Sequence, residues 1–360
     1  MVYFLAVTSN ADKTLLSLKS VKVSFPLYGG MFSRQIATVR AVEDISLSVQ
    51  KGEVLGIVGE SGCGKTTTGR AITRLVEIES GSILFDGIDL AKLNQDDFRP
   101  FRKRIQMVFQ DPYGSLDPRM TVEGILEEPL IVHSKGNRGK RKRIIESWLE
   151  PLGLTHKQLD RYPHEFSGGQ RQRIAIARSL ILQPEVVIAD EPVSALDVSI
   201  QAQVLNFLQD LAQDMGLTMI FIAHDISVVQ HIADRMAVMY LGRIVELAPS
   251  DKLMNSPRHP YTLSLISSIP QARPKRSKDK KRILLPGELP STITPPSGCP
   301  LHPRCPAAKE VCKIEVPPLA VLEEDTTSSS SIDRAKMHYV ACYRNEVAVD
   351  IVREWHQERK

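Results

Sequence analysis

Apolar and polar positions along this chain change rhythm in a regular way. Short runs rich in β-branched residues, "EVLGIVG", "RIQMVF", "EVVIAD" and "TMIFIAH", read as strands, and longer helical patterns lie between them. From about Leu16 to Glu246 the alternation predicts an α/β fold with a largely parallel sheet. The stretch from about 115 to 180, most clearly Pro129 to Pro163, reads as a helical subdomain inserted into it. After Ala248 the texture shifts. Prolines crowd "LPGELPSTITPPSGCPLHP", which predicts extended, turn-rich chain, and "EEDTTSSSS" reads as a loop. The division expected is a main domain over 1–250 and a C-terminal extension over 251–360.

Composition narrows the class. The chain has 360 residues and is 42% hydrophobic, normal for a globular protein. No window approaches the ~18 apolar residues of a membrane-spanning helix. The opening "MVYFLAV" lacks the basic flank and cleavage site of a secretory signal, so a cytoplasmic location is expected. A formal charge of +4 gives no reason to expect a nucleic-acid partner. The basic runs "RGKRKR" and "RPKRSKDKKR" read as solvated loops.

Candidate chemistry begins at "GIVGESGCGKTTTGR", which fits G-x-x-x-x-G-K-[ST] between a strand and a helix. In such a loop Gly59, Glu60, Ser61, Gly62, Cys63 and Gly64 curl so that backbone N–H groups face phosphate oxygens, and the helix N-terminus adds positive charge. Lys65 is expected to reach the β- and γ-phosphates of ATP, Thr66 to ligate Mg²⁺, and Thr67 to continue the site. Cys63 reads as a tolerated small residue. The strand run Val186–Ala189 ends in Asp190, placed to hold Mg²⁺, and Glu191 follows as base or orienter for attacking water. In "FSGGQRQR", Ser167 can N-cap a helix opened by Gly168, Gly169 and Gln170, a second anion-binding surface. A chain already holding ATP needs no such second surface, whereas a head-to-tail dimer would use it.

At these residues the chain resembles the ATP-binding subunits of ABC transporters. "GESGCGKTT", Gln110 in "VFQDP", "SGGQ", "VVIADEP", "SALD" and His224 in "AHD" follow that family's order over about residues 16–250. The resemblance implies an ATPase of P-loop NTPase fold in which Gln110 touches Mg²⁺ or water, Asp197 braces the opposite site, and His224 contacts the γ-phosphate. It places an adenine-stacking aromatic at Phe25, with Tyr28 as second choice. It also implies two transmembrane permease subunits, a second ATP-binding subunit (a paralogue), and a peripheral position on the cytoplasmic face of the membrane. "NSPRHPYTLSLISSIP" and "GELPSTITPPSGCPLHPRC" resemble the extension of the oligopeptide/dipeptide (Opp/Dpp) importers, which implies peptide import with an extracytoplasmic substrate-binding protein. Nickel, glutathione or another small solute is the alternative cargo, and a soluble non-transport ABC ATPase the alternative class.

Four of the five cysteines, Cys299, Cys305, Cys312 and Cys342, sit in that extension. A reducing compartment argues against disulfides. Their spacings are wider than the usual pairs of structural zinc, while four thiolates also suit iron–sulfur clusters. Some Opp/Dpp-type subunits carry a [4Fe–4S] cluster at the motif these cysteines resemble. The expectation is such a cluster, with zinc as the alternative and four free thiols as a further one; it would staple the proline-rich tail and sit outside the motifs that touch ATP, with no part in catalysis.

Overall fold

The computed structural model describes residues 14–29, 34–269, 283–322, 336–348 and 350. The tract 323–331, the basic run 273–282 and the opening seven residues lie outside them. Two sheets form the frame. The smaller is antiparallel, with β1 (Thr14–Gly29), β2 (Arg34–Gln50), β4 (Ser80–Phe85) and β5 (Ile88–Asp89) in the order β2-β1-β4-β5. The larger holds β3 (Val54–Val58), β6 (Ile105–Val108), β7 (Val186–Asp190), β8 (Thr218–Ala223), β9 (Arg235–Tyr240), β10 (Arg243–Pro249), β11 (Ala320–Val321) and β12 (Tyr339–Val340). Its order is β11-β12-β10-β9-β3-β8-β7-β6.

All four expected strands are present as β3, β6, β7 and β8. Their residues are buried almost throughout, as continuous Val/Ile runs require when both faces of a sheet are covered. Only the block β6-β7-β8-β3-β9 is parallel. The remainder of this sheet, and the whole smaller sheet, is antiparallel, so the fold is mixed rather than largely parallel.

Between β6 and β7 the regular elements are helical, including Val122–Val132, Arg138–Ser147 and Gly168–Leu180. "RGKRKR" opens the second of these rather than forming a loop. Asn137 caps it by accepting from Lys140 N, and its arginines and lysines remain largely in water. The proline-rich stretch 285–303 is irregular, turn-rich chain as expected, ending in one short 3-10 turn, but the extension is not irregular throughout. Ser250–Asn255 and Pro260–Ser267 are helices, because Pro260 occupies the first turn, where its missing N–H costs nothing, and His259 caps it. Burial holds the His259 imidazole down to about 4, so it is neutral and its Nδ1 accepts from Tyr261 N at 3.2 Å.

The extension completes the larger sheet. β12 pairs with β10 through Glu246↔Val340 and Leu247↔Tyr339, and β11 lies outside it. At this junction the fully buried Glu246 carboxylate accepts from Arg258 N at 2.7 Å and His259 N at 2.9 Å, and meets His338 Nε2 at 2.6 Å. Removing one carboxylate therefore strands three donors. Glu246→Leu is expected to cost about 3 kcal/mol or more, the scale for breaking a buried charged network. It should also expose the tail to protease. Denaturant unfolding is the check, and a loss below about 1 kcal/mol would mean that the three donors find other acceptors.

Candidate functional site

The 59–64 loop lies between the end of β3 and the helix Lys65–Ile72. Gly64 has φ +104, and a Cβ there would stand 2.1 Å from Ala41 O, so β2 and the loop approach as closely as glycine alone permits. Lys65 is buried, and its Nζ donates to Gly59 O at 2.8 Å and Glu60 O at 3.0 Å. Ser61 and Gly62 form the exposed rim, and Thr67 is half-buried. Cys63 is fully buried and burial pushes its thiol up, which suits an inert small residue.

Three adjacent strands deliver the polar groups beyond the loop. At the end of β7, Asp190 is buried and accepts from Thr66 Oγ1 at 2.9 Å. Burial raises its carboxyl group above the ordinary range, and the Thr66 bond opposes that. Glu191 comes next with φ +45, a left-handed backbone unusual for a side chain of its size. The position is secured by Glu191 N donating to Ile222 O and Ser194 Oγ donating to Glu191 O. The turn directs Glu191 Oε2 to Gln110 Nε2, just past β6, at 3.1 Å, and to His224 Nδ1, just past β8, at 3.4 Å. Lys65, Thr66, Gln110, Asp190, Glu191 and His224 thus come together at the same ends of β3, β6, β7 and β8.

Ser167–Gln170 and Asp197 form a separate group. Ser167 caps the helix Gly168–Leu180, accepting from Gln170 N at 3.3 Å, while Gln170 Oε1 accepts from Ser167 N at 3.1 Å. Asp197 caps the helix Val198–Met215 through Ile200 N at 3.0 Å. A hydrogen bond from Ser199 Oγ holds its carboxyl below the usual range. The two helix starts adjoin: a Cβ on Gly169 would meet Ile200 Cγ2 at 2.6 Å, and one on Gly168 would meet Leu196 Cδ2 at 3.5 Å. Phe25, on β1 opposite Val39, is 37% exposed, and Tyr28 is 63% exposed. Both rings are therefore open to a partner rather than packed in the core.

Cys299, Cys305, Cys312 and Cys342 are free thiols that line one cavity of about 10 Å³. Gly298, at φ +64, allows the close crossing in which Cys299 N donates to Cys312 O at 2.8 Å; a Cβ there would stand 2.5 Å from that oxygen. Burial pushes the thiols of Cys299 and Cys342 up to about 11 and about 12, and that of Cys305 upward. Among the described residues no group of three or more His, Cys, Asp or Glu side chains is arranged to hold a metal ion. The expected ligand set is thus convergent but not spread into a metal site.

The extension also reaches the phosphate loop. Arg304, next to Cys305, reaches Glu60 in that loop, and Tyr261 OH accepts from Glu60 N at 2.8 Å. Local sequence carries no signal for these contacts, since 244 residues separate Arg304 from Glu60.

Comparison with known proteins fits this layout. Residues 42–194 match the family model "ABC transporter", and 245–312 match "Oligopeptide/dipeptide transporter, C-terminal region". The chain is 49% identical to the oligopeptide transport ATP-binding protein AppF of Bacillus subtilis, covering 94% of this chain and 99% of that one. It is 50% identical to the probable peptide ABC transporter ATP-binding protein y4tS of Sinorhizobium fredii, covering 86% and 87%. Among solved structures it resembles the dimeric post-hydrolysis ATP-binding cassette MJ0796 bound to ADP and Pi. The TM-score is 0.58 at 28% identity, over 66% of this chain and 99% of that chain.

The left-handed backbone at Glu191 gives a direct test of strain. Glycine adopts φ +45 freely, whereas alanine carries the Cβ penalty of about 1 kcal/mol. Glu191→Gly should therefore be more stable to denaturant than Glu191→Ala by about that amount. Equal stabilities, or Ala the more stable, would mean that the backbone relaxes when the side chain is cut.

Proposed function

We infer the function from one premise: the chain belongs to the ABC transporter family, and its fold is that of an ATP-binding cassette. It is an ATPase. Its role is to power import of di- or oligopeptides through two separate membrane-spanning permease subunits, working from the cytoplasmic face of the membrane. A second ATP-binding subunit and an extracytoplasmic substrate-binding protein complete the system. The peptide cargo is supported by the names of the relatives and by the matched C-terminal region. Among the described residues no helix is long and apolar enough to cross a membrane. Residues 1–250 serve as the cassette, with 115–180 as its helical subdomain, and 251–360 as the extension.

The observation that carries the hydrolytic reading is Glu191 Oε2 standing between Gln110 and His224, directly beside the Thr66–Asp190 pair. The loop 59–67 cradles the phosphates, with Lys65 as their fixed positive charge. Phe25 stacks on adenine. Thr66 Oγ1 and Asp190 are hard oxygen donors suited to Mg²⁺, which supplies neutralisation of phosphate charge when bound. Glu191 accepts a proton from the attacking water. The water oxygen then bonds to the γ-phosphorus as its bond to the β–γ bridging oxygen breaks, releasing ADP and phosphate. Gln110 orients the water, and His224 donates to the γ-phosphate. Ser167, Gly168, Gly169 and Gln170, with Asp197, face the nucleotide of the second subunit. The adjoining of the two helix starts in one surface supports that arrangement.

The four cysteines act as a thiolate metal centre that staples the extension. The resemblance favours a [4Fe–4S] cluster, for which the thiols must separate and lose their protons; zinc needs less room. What supports the centre is the convergence of all four thiols on one cavity.

Glu191→Gln keeps the shape but not the base. In the assembled transporter it should retain ATP binding and lose at least about a hundredfold in ATPase rate, together with uptake of a labelled oligopeptide. Near-normal hydrolysis would refute the role of Glu191; lost hydrolysis with intact uptake would refute the coupling.

Protein purified without oxygen should be brown and contain iron and acid-labile sulfide, and Cys305→Ser should lose both. Colourless protein with one zinc per chain would decide for zinc, and four alkylatable thiols without metal would discard the centre.

A further inference from the structure

The loop assigned to the ATP phosphates is held from outside the cassette as well as from within. Arg304 Nη1 donates to Glu60 Oε2 at 3.1 Å, to Glu60 Oε1 at 3.4 Å and to Tyr240 OH at 3.4 Å. The backbone of the same loop residue is fixed by its N–H donating to Tyr261 OH at 2.8 Å. The Tyr261 ring packs against Tyr240 with centroids 4.7 Å apart. Two residues of the extension, Tyr261 and Arg304, therefore grip Glu60 by its main chain and its side chain. The Arg304 side chain is 11% exposed and that of Glu60 33%, so the pair is partly shielded from water, more than the fully exposed ion pairs that contribute little.

Glu60 follows Gly59 directly and stands one turn of loop before Lys65. A carboxylate in that place, left without its cation, repels a triphosphate. Where the counter-charge comes from therefore matters for binding, and it comes from the extension.

We propose that Arg304 is a positioning residue for nucleotide binding. It neutralises Glu60 and holds the 59–64 loop in place, so that the C-terminal extension sets this chain's affinity for MgATP. The inference rests on the reading that the loop holds ATP.

The test is titration of the full-length chain with a fluorescent ATP analogue and Mg²⁺. Arg304→Met should weaken binding roughly fivefold to tenfold, the scale of one uncompensated charge at a partly shielded site. The loss should be larger for ATP than for ADP, because repulsion grows with phosphate charge. Arg304→Lys should recover much of it, and Glu60→Gln in the Arg304→Met background should restore affinity, since no carboxylate then needs a partner. Should Arg304→Met not fold, Glu60→Gln alone decides: it leaves Arg304 facing the phosphates and should tighten MgATP binding roughly twofold to fivefold. Weaker binding by Glu60→Gln overturns the proposal. So does Arg304→Met affinity within about twofold of wild type, or an equal loss for ATP and ADP that Glu60→Gln does not rescue. A wild-type chain that binds no MgATP would remove the nucleotide reading itself, and this inference with it.

Discussion

The Glu246 carboxyl group is cut off from bulk solvent, and the arrangement around it holds the two parts of this molecule together. Burying a carboxylate is costly unless every lone pair that matters is met by a donor. Here the donors come from the link between the helices Ser250–Asn255 and Pro260–Ser267, through Arg258 N and His259 N, and from the far end of the extension, through His338. The carboxylate thereby fixes where the helix Pro260–Ser267 begins and where β12 lies. Tyr261 sits in the first turn of that helix, and its hydroxyl reaches the phosphate loop. The geometry of the loop is thus tied, through one helix turn, to the compensation of a buried charge in another part of the sheet.

The neighbouring carboxylates at the end of β7 show how one chain segment supports two environments. Along a strand, successive side chains leave on opposite faces, so Asp190 and Glu191 would ordinarily diverge. Asp190 keeps strand geometry and points toward Thr66 in a dry setting. Glu191 breaks the alternation with its positive φ, which turns its carboxylate across the strand ends to Gln110 and His224. A local backbone strain of about 1 kcal/mol is offset by the hydrogen bonds to Glu191 N and O that hold the corner, so that the two carboxylates stand side by side in different environments.

What could be read from the sequence follows physical range. The inner strands were legible because burial on both faces demands unbroken Val/Ile runs, and the phosphate loop because its spacing is dictated by the phosphates themselves. Ser167 was legible as a helix start because capping is local. The helix Pro260–Ser267 was hidden because prolines read as breakers, although Pro260 begins a helix rather than ending one. β11 and β12 are two residues each, too short for any periodicity, and their place is set by long-range pairing. The Arg304–Glu60 contact has no local signature, since neither residue type nor spacing announces a partner so far along the chain. The cysteines could be grouped by composition, but not the tightness of their packing, which depends on how closely Gly298 lets two backbone segments cross.

β12 closes over the outer side of β10, and its anchor His338 is 92 residues further along than Glu246. During synthesis the growing chain therefore carries β10 with a row of unpaired N–H and C=O groups until the extension emerges from the ribosome. Such an edge is a template for pairing with the wrong chain. Once in place, β12 pairs with Glu246 and Leu247 in the middle of that edge, and the two-residue β11 lies outside it, too short to recruit a foreign strand. The extension thus also serves as the last-arriving guard of the sheet, and a message truncated before Tyr339 would release a protein with its ATP motifs intact and its aggregation-prone edge uncovered.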